Sequence, residues 1–150
     1  MIQTKRTTRG AVALLCAMAV TGCGGGGGGG VTVNNPPILS QPILTPATVD
    51  FTGQPSVAIS APVTDENIAA VTVTGTVTRQ SDNATFSLTS FTRNGSTFAA
   101  NFSAPANAGP ATQTYALTLS ATDGVNPTAV LTAAQTITVS APSGPPGVPF

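Results

Sequence analysis

The chain has no histidine and no tryptophan, and only 7% of its 150 residues are charged. Without histidine it cannot assemble a Ser-His-acid triad or an imidazole metal site. Its five cations balance five acids, but three of the cations, Lys5, Arg6 and Arg9, lie within the first ten residues. The rest of the chain is mildly acidic, so it offers no basic surface for the phosphates of nucleic acid or of lipid headgroups.

Carboxylates are the remaining candidates for catalysis, and their placement is unfavourable. Catalysis by a carboxylate pair requires two acids that face each other across a cleft. Asp65 and Glu66 are adjacent in the chain, so their side chains are expected to diverge in a surface turn. The sequence therefore predicts that the chain is not an enzyme, and it indicates neither a metal nor a cofactor.

An uncharged, largely apolar stretch covers residues 10–20, directly after the three N-terminal cations. A positive segment followed by a short apolar one is the layout of a secretory signal. The stretch has about half of the roughly 20 apolar residues that a membrane-spanning helix requires. Residues 1–22 are therefore predicted to form a signal helix that is removed on export.

The apolar stretch ends in small residues and a cysteine, in the order Val20, Thr21, Gly22 and Cys23. This order resembles the lipobox of bacterial lipoproteins, which has an aliphatic residue, two small residues and the modified cysteine. The resemblance implies cleavage after Gly22 and lipidation of Cys23, which would anchor the protein in the bacterial cell envelope. It also implies the outer membrane in a Gram-negative cell, because Gly24 stands where lipoproteins kept in the inner membrane commonly have Asp.

Cys23 would be the one cysteine left after processing, since Cys16 lies in the removed segment. With Cys23 acylated no disulfide can form, so the fold must be stabilised by its core alone. Residues 24–30 are all glycine, and glycine has the largest backbone entropy to lose on ordering. Residues 23–37 are therefore predicted to be a flexible tether. A phosphate-binding loop would need a following Lys-Ser/Thr pair and a helix, which are missing.

From residue 38 onward the hydrophobic pattern has a period of two. Valine alternates with threonine through most of residues 71–78, and comparable alternation occurs in residues 56–63, 86–88, 98–102, 115–121 and 131–139. Alternation in β-branched and aromatic residues predicts half-buried strands, with threonine as a good solvent-facing strand residue. Turn-forming residues separate these runs. The pattern predicts an all-β domain over residues 38–141, an immunoglobulin-like antiparallel β-sandwich of about seven strands.

The strongest turn signal is the pair Asn94-Gly95. It predicts a type I′ hairpin that joins the strand of Phe86 to the strand of Phe98. Phe91 is out of phase with Phe86 and Leu88, which predicts an exposed ring unless a bulge lies near Ser90. Residues 142–150, rich in proline and glycine, are predicted to be an unstructured tail.

Residues 115–124, followed by Ile137, Thr138 and Val139, resemble the last two strands of bacterial immunoglobulin-like, cadherin-like and fibronectin type III-like modules. The resemblance implies a stalk, spacer or adhesive module. It also implies that the hydroxyl of Tyr115 bonds to upstream backbone. The Cys pair and the Trp of antibody domains are missing.

The usual strand order of such a sandwich would gather three loops at the end where the chain enters the domain. The residues expected on that rim are Asp65, Glu66, Asn67, Arg93, Asn94, Asp123 and Asn126. The three acids, Asp65, Glu66 and Asp123, have the hard oxygen atoms that calcium prefers, as between cadherin-like domains. The dense Asp/Asn motifs of cadherins are absent, and turn formation is the alternative role for these residues.

The function expected from the sequence is that of a lipid-anchored cell-envelope protein. Its single immunoglobulin-like domain would act as a structural, spacer or adhesive module. Its partners would be the membrane, through the lipid on Cys23, and another envelope protein that pairs with a strand edge, because the strands have few charges to block such pairing. The alternative is a calcium- or carbohydrate-binding accessory module at the cell surface.

Overall fold

The structure is a computed structural model that describes residues 33–144. The predicted signal helix, the lipidated Cys23, the glycine run and residues 145–150 of the tail lie outside the described residues. The predictions made for them stay predictions.

Residues 33–144 contain strands and no helix. The strands are β1 Ile38–Leu39, β2 Ile43–Thr45, β3 Thr48–Val49, β4 Val57–Thr64, β5 Thr72–Arg79, β6 Thr85–Leu88, β7 Thr92–Asn94, β8 Thr97–Phe102, β9 Gln113–Thr122, β10 Ala129–Thr132 and β11 Ile137–Val139.

The strands are divided between two sheets. In the first sheet β1 and β2 both pair with β4, which pairs with β8, and β8 pairs with β7. In the second sheet the order is β3, β11, β9, β5 and β6, and β10 also pairs with β9. The predicted all-β sandwich is confirmed. The central pairs are β4 with β8 in the first sheet and β5 with β9 in the second, an arrangement similar to that of immunoglobulin-like sandwiches.

Before β4 the predicted domain begins with three short strands, β1, β2 and β3. Pro46, which follows β2, has no N–H to donate, so the ladder with β4 cannot continue through it. The chain then crosses to the second sheet, where β3 runs parallel to β11. The antiparallel prediction is wrong for this one pair and correct for the other strand pairs of the described residues.

The core is formed by alternate residues of the central strands. All of the inward residues of β4 and most of those of β9 are at most 2% exposed, namely Val57, Ile59, Ala61, Val63, Tyr115, Leu117, Leu119 and Ala121. The inward phase predicted for these runs is therefore correct. Burial of each Val, Leu or Ile contributes about 2 kcal/mol relative to an exposed position.

Three rings pack together at one side of the core. The ring centroids of Phe86, Phe102 and Tyr115 lie 5.8 to 6.1 Å apart in tilted or edge-on pairs. The hydroxyl of Tyr115 donates to the side-chain Oε1 of Gln113 at 2.9 Å. The bond to upstream backbone that the resemblance implied is therefore not the one formed. Gln113 lies two residues before Tyr115 on the same face of β9, which puts its side chain within reach.

The hairpin at Asn94 differs from the prediction in both its partner and its turn. The short strand β7 pairs with β8, whereas the strand of Phe86, β6, pairs with β5 in the other sheet. Asn94 lies opposite Thr97, so Gly95 and Ser96 are the two loop residues. Gly95 has φ 61°, and Ser96 has no positive φ. Because β6 and β7 belong to different sheets, the chain crosses between the sheets at residues 89–91, and the alternation breaks there.

Phe91 lies at this crossing. It is half-buried and packs against the core, so the prediction of an exposed ring is wrong. The break in phase marked a change of sheet, and the ring points into the space between the two sheets.

Candidate functional site

One end of the sandwich, here called the proximal end, is formed by residues 33–37, 65–70, 94–96 and 123–128. Val63 N donates to Ser96 O at 2.8 Å, which places the turn after Asn94 beside the end of β4. The hydrogen bonds described next join residues 33–37 to the other two loops. The predicted rim thus exists, although Arg93 and Asn94 are exposed on the edge strand β7 rather than joined to the acids.

Asp123 organises the proximal end. Its Oδ1 accepts hydrogen bonds from the backbone N–H groups of Val125 at 2.9 Å and Asn126 at 2.8 Å. Its Oδ2 accepts from Asn34 Nδ2 at 3.0 Å and Asn126 Nδ2 at 2.8 Å. The backbone and side-chain bonds from Asn126, followed by the bond from Val125, lower the pKa of Asp123 to about 2. Four neutral donors therefore hold this carboxylate in its ionised form.

The N-terminal segment, residues 33–37, is attached to the sandwich through Asn34 and Asn35. Besides its bond to Asp123, Asn34 accepts at its backbone O from Asn126 Nδ2 at 3.2 Å. The backbone N–H of Asn35 donates to Glu66 Oε1. We refer to these contacts of Asn34 and Asn35 with Glu66, Asp123 and Asn126 as the proximal clamp. Sequence reasoning placed Asn34 and Asn35 in the tether, and the one available signal was their side-chain amides directly before Pro36 and Pro37.

The acids predicted as calcium ligands are largely engaged in hydrogen bonds at this end of the molecule. Each oxygen of Asp123 already accepts two hydrogen bonds, so the carboxylate has no lone pair left for a cation. Asp65 Oδ1 accepts from Asn67 N at 2.7 Å, and Asp65 Oδ2 is buried without a hydrogen-bond partner. Glu66 Oε1 accepts from Asn35 N, so Asp65 Oδ2 and Glu66 Oε2 are the carboxylate oxygens of these three acids that no described residue engages, against the six to eight oxygens that calcium takes. Within residues 33–144 no three acidic, cysteine or histidine side chains gather in a metal-binding group.

The outer face of the second sheet consists largely of hydroxyl side chains, and Ala116 and the exposed Val130 are the apolar residues among them. Strand register places Thr74 of β5 beside Ser120 of β9, and Thr76 between Thr118 and Ser87. The array, here called the hydroxyl face, consists of Thr48, Thr72, Thr74, Thr76, Thr78, Thr85, Ser87, Thr114, Thr118, Ser120, Thr122, Thr132 and Thr138. Thr118 and Thr132 are in hydrogen-bond contact at 3.4 Å. No charge interrupts this face.

The charged side chains lie at the ends and edges of the sandwich. Asp65, Glu66 and Asp123 are at the proximal end. At the opposite end, here called the distal end, Arg79 Nε donates to Asp82 Oδ1 at 2.8 Å, and its guanidinium forms a second bond with the same carboxylate. Hydrogen bonding from this guanidinium is the largest of the causes that lower the pKa of Asp82 to about 2. The outer faces of both sheets are therefore neutral.

Asn107 is a buried polar residue that sequence reasoning missed. It is 1% exposed, and its Nδ2 donates to Ala111 O at 2.8 Å and Ser140 O at 3.0 Å. Its backbone N–H donates to Phe51 O at 2.7 Å. Asn107 therefore joins three separate segments of the distal end. Nothing in its local sequence, between two alanines, distinguishes it from an ordinary loop asparagine.

No family model, no curated protein and no solved structure matches this chain. Among the described residues no helix is long and apolar enough to cross a membrane. The functional assignment therefore depends on the N-terminal motif and on the surfaces described above.

Proposed function

We propose that the protein is a lipid-anchored spacer of the bacterial cell envelope. Its immunoglobulin-like domain stands at the membrane surface on a glycine tether, held by lipid on Cys23. In a Gram-negative cell Gly24 directs it to the outer membrane. The domain acts as a structural element and carries out no chemistry of its own.

The observation that carries this proposal is the hydroxyl face. Threonine and serine hydroxyls predominate on its strands from β3 to β6, with no charged side chain and no exposed ring among them. A largely hydroxyl-bearing, neutral surface of this kind solvates the sheet and offers a ligand few distinguishing groups, apart from the exposed Val130. It supports a spacer more than a binding module.

The proximal clamp supports the same proposal. Asn34 is the fourth residue after the glycine run, and its bonds to Asp123 and Asn126 attach it to the loop after β9. The predicted tether therefore joins the sandwich at the proximal end, and the glycine run would supply its reach.

An adhesive function through strand pairing is less favoured by the edges of the two sheets. The edge strand β6 has four residues and the edge strand β7 has three. On the other side the first strand is interrupted between β2 and β3. Short and interrupted edges are the usual protection against pairing with another chain.

Carbohydrate binding is also less favoured, because rings for stacking are scarce on the described surface. Phe51 is 44% exposed, whereas Phe98, Phe102 and Tyr115 are at most 3% exposed. Neither outer sheet face presents a pair of exposed rings. Calcium binding is less favoured as well, because each carboxylate oxygen of Asp123 already accepts two hydrogen bonds.

The anchor is tested by comparing the wild-type precursor with Cys23→Ala and with Cys16→Ala as the matched control. Cells are given labelled fatty acid, and membranes are separated from soluble fractions. We expect the wild type and Cys16→Ala to carry label and sediment with the membrane. Cys23→Ala should lose the label and leave the membrane fraction as far as it is processed. Equal labelling of Cys23→Ala and wild type would refute the anchor.

A further inference from the structure

The distal end contains an apolar groove beside the point where the described chain stops. The groove is lined by Phe51, Thr52, Ala106, Asn107, Ala108 and Pro142 and has a volume of about 270 Å³. Phe51 forms an exposed wall, and Pro142 belongs to the segment that leaves β11. Residues 145–150 therefore begin three positions after a residue that lines the groove.

The groove is preformed, because its polar groups are used internally. The side chain of Asn107 donates to Ala111 O and Ser140 O, and its Oδ1 accepts from Gly109 N at 3.1 Å. The carboxylate of Asp50, next to Phe51, accepts from Thr52 N at 2.8 Å and Gln54 N at 3.2 Å. What remains towards solvent is apolar and uncharged, so a complementary occupant must also be apolar and uncharged.

We propose that residues 145–150 of this chain dock in the groove and cover Phe51. The segment is Pro145, Pro146, Gly147, Val148, Pro149 and Phe150, so it has no charge and consists mostly of apolar side chains. Proline-rich segments favour the extended polyproline II conformation, which loses little entropy when it docks against an aromatic wall.

The covalent connection makes this docking intramolecular. The eight residues after Pro142 span at most about 25 Å in the polyproline II conformation, at 3.1 Å per residue, which is ample for a groove that Pro142 itself lines. A short linker gives the segment a millimolar effective concentration at the groove. Weak contacts therefore suffice to occupy it, and the exposed apolar surface of the distal end is reduced.

The test measures the accessibility of the groove by thiol labelling. The full chain with Cys16→Ala and Cys23→Ala carries Ala108→Cys as its one thiol and is kept in dilute solution. Its reaction rate with a maleimide is compared with that of the same chain lacking residues 145–150. At a millimolar effective concentration we expect the segment to cover the groove about four-fifths of the time. The thiol is then accessible about one-fifth of the time, so labelling should be about fivefold slower with the segment present.

Two further variants make the result specific. Val148→Ser together with Phe150→Ser keeps the length of the segment and should restore the fast rate. Val125→Cys at the proximal end, 77% exposed, should label at one rate with or without residues 145–150. Equal rates at Ala108→Cys in the full and shortened chains would overturn the proposal. Protection that rises with protein concentration would also overturn it, because the occupant would then be a second copy.

Discussion

Asp123 shows how one side chain can attach a tether to a folded domain. Its carboxylate accepts four hydrogen bonds, and one of the donors is Asn34 from the N-terminal segment. These bonds favour the ionised form, which is why the pKa of Asp123 is about 2. Protonation would remove acceptor capacity from both the loop after β9 and the proximal clamp.

The low pKa of Asp123 predicts a dependence of stability on pH. A carboxylate whose folded-state pKa lies below its unfolded value stabilises the fold above the unfolded pKa, and the contribution is lost as pH falls through the folded pKa. We expect the melting temperature to fall between about pH 4 and about pH 2. Asp82, whose pKa is also about 2, contributes in the same window.

Asp123→Asn separates the two contributions. Asp123→Asn should have a lower melting temperature than the wild type at pH 7, and its melting temperature should decline less steeply towards pH 2. Asp82→Asn should keep the part of the decline that is due to protonation of Asp123. Thermal melts followed by circular dichroism at each pH measure both effects. If the melting temperature of Asp123→Asn fell with pH as steeply as that of the wild type, the hydrogen bonds to Asp123 would not be the cause of the pH dependence.

Gly53 is required for two reasons that can be separated by mutation. Its φ is +80°, and a Cβ at this position would lie 2.0 Å from the carbonyl O of Ala104. Gly95 also has a positive φ, +61°, but a Cβ there would have no neighbour within 4 Å. Gly95→Ala should therefore lower the free energy of unfolding by about 1 kcal/mol, the cost of the left-handed conformation alone. Gly53→Ala should cost at least about 2 kcal/mol more, because backbone must move. Urea melts that gave equal losses would contradict this explanation.

At the scale of elements, Asn107 links loops of the distal end that strand pairing alone does not join. Asn107→Ala would leave the carbonyls of Ala111 and Ser140 without their donor. We expect the free energy of unfolding to fall by about 2 kcal/mol or more, since each unsatisfied buried acceptor costs about 1 to 3 kcal/mol. Asn101→Ala, on the exposed face of β8, is the matched control and should change it by less than about 0.5 kcal/mol. Comparable losses from the two variants in urea melts would remove the special role of Asn107.

The pairing of β6 and β7 with different sheets was the element-scale feature that sequence reasoning missed. Alternation within a strand depends only on which side chains face the core, so it identified the inward residues of β4, β5 and β9 correctly. Alternation does not specify which sheet a strand joins. Between Phe86 and Phe91 the phase changed, and that change marked the crossing at residues 89–91.

At the scale of the whole molecule, the distribution of charge leads to a prediction about calcium. The proximal end has three acids, but Asp123 is saturated by N–H donors and Asp65 has one unpartnered oxygen. We expect thermal melts in millimolar calcium and in chelator to superimpose. A saturable rise of the melting temperature with calcium, lost in Asp65→Asn, would show that the acids bind calcium despite those bonds.

The sequence alone determined the class of fold, the inward face of each long strand and the threonine surface, because these follow from local alternation and β-propensity. It also supports the lipid anchor, because that motif is four consecutive residues. Only the tertiary structure decided that Asn34 bonds to Asp123, that Asn107 joins Phe51 to Ser140, and that Phe91 packs inward. These contacts connect residues up to 89 positions apart, and no local pattern encodes which distant loops will meet when the two sheets pack.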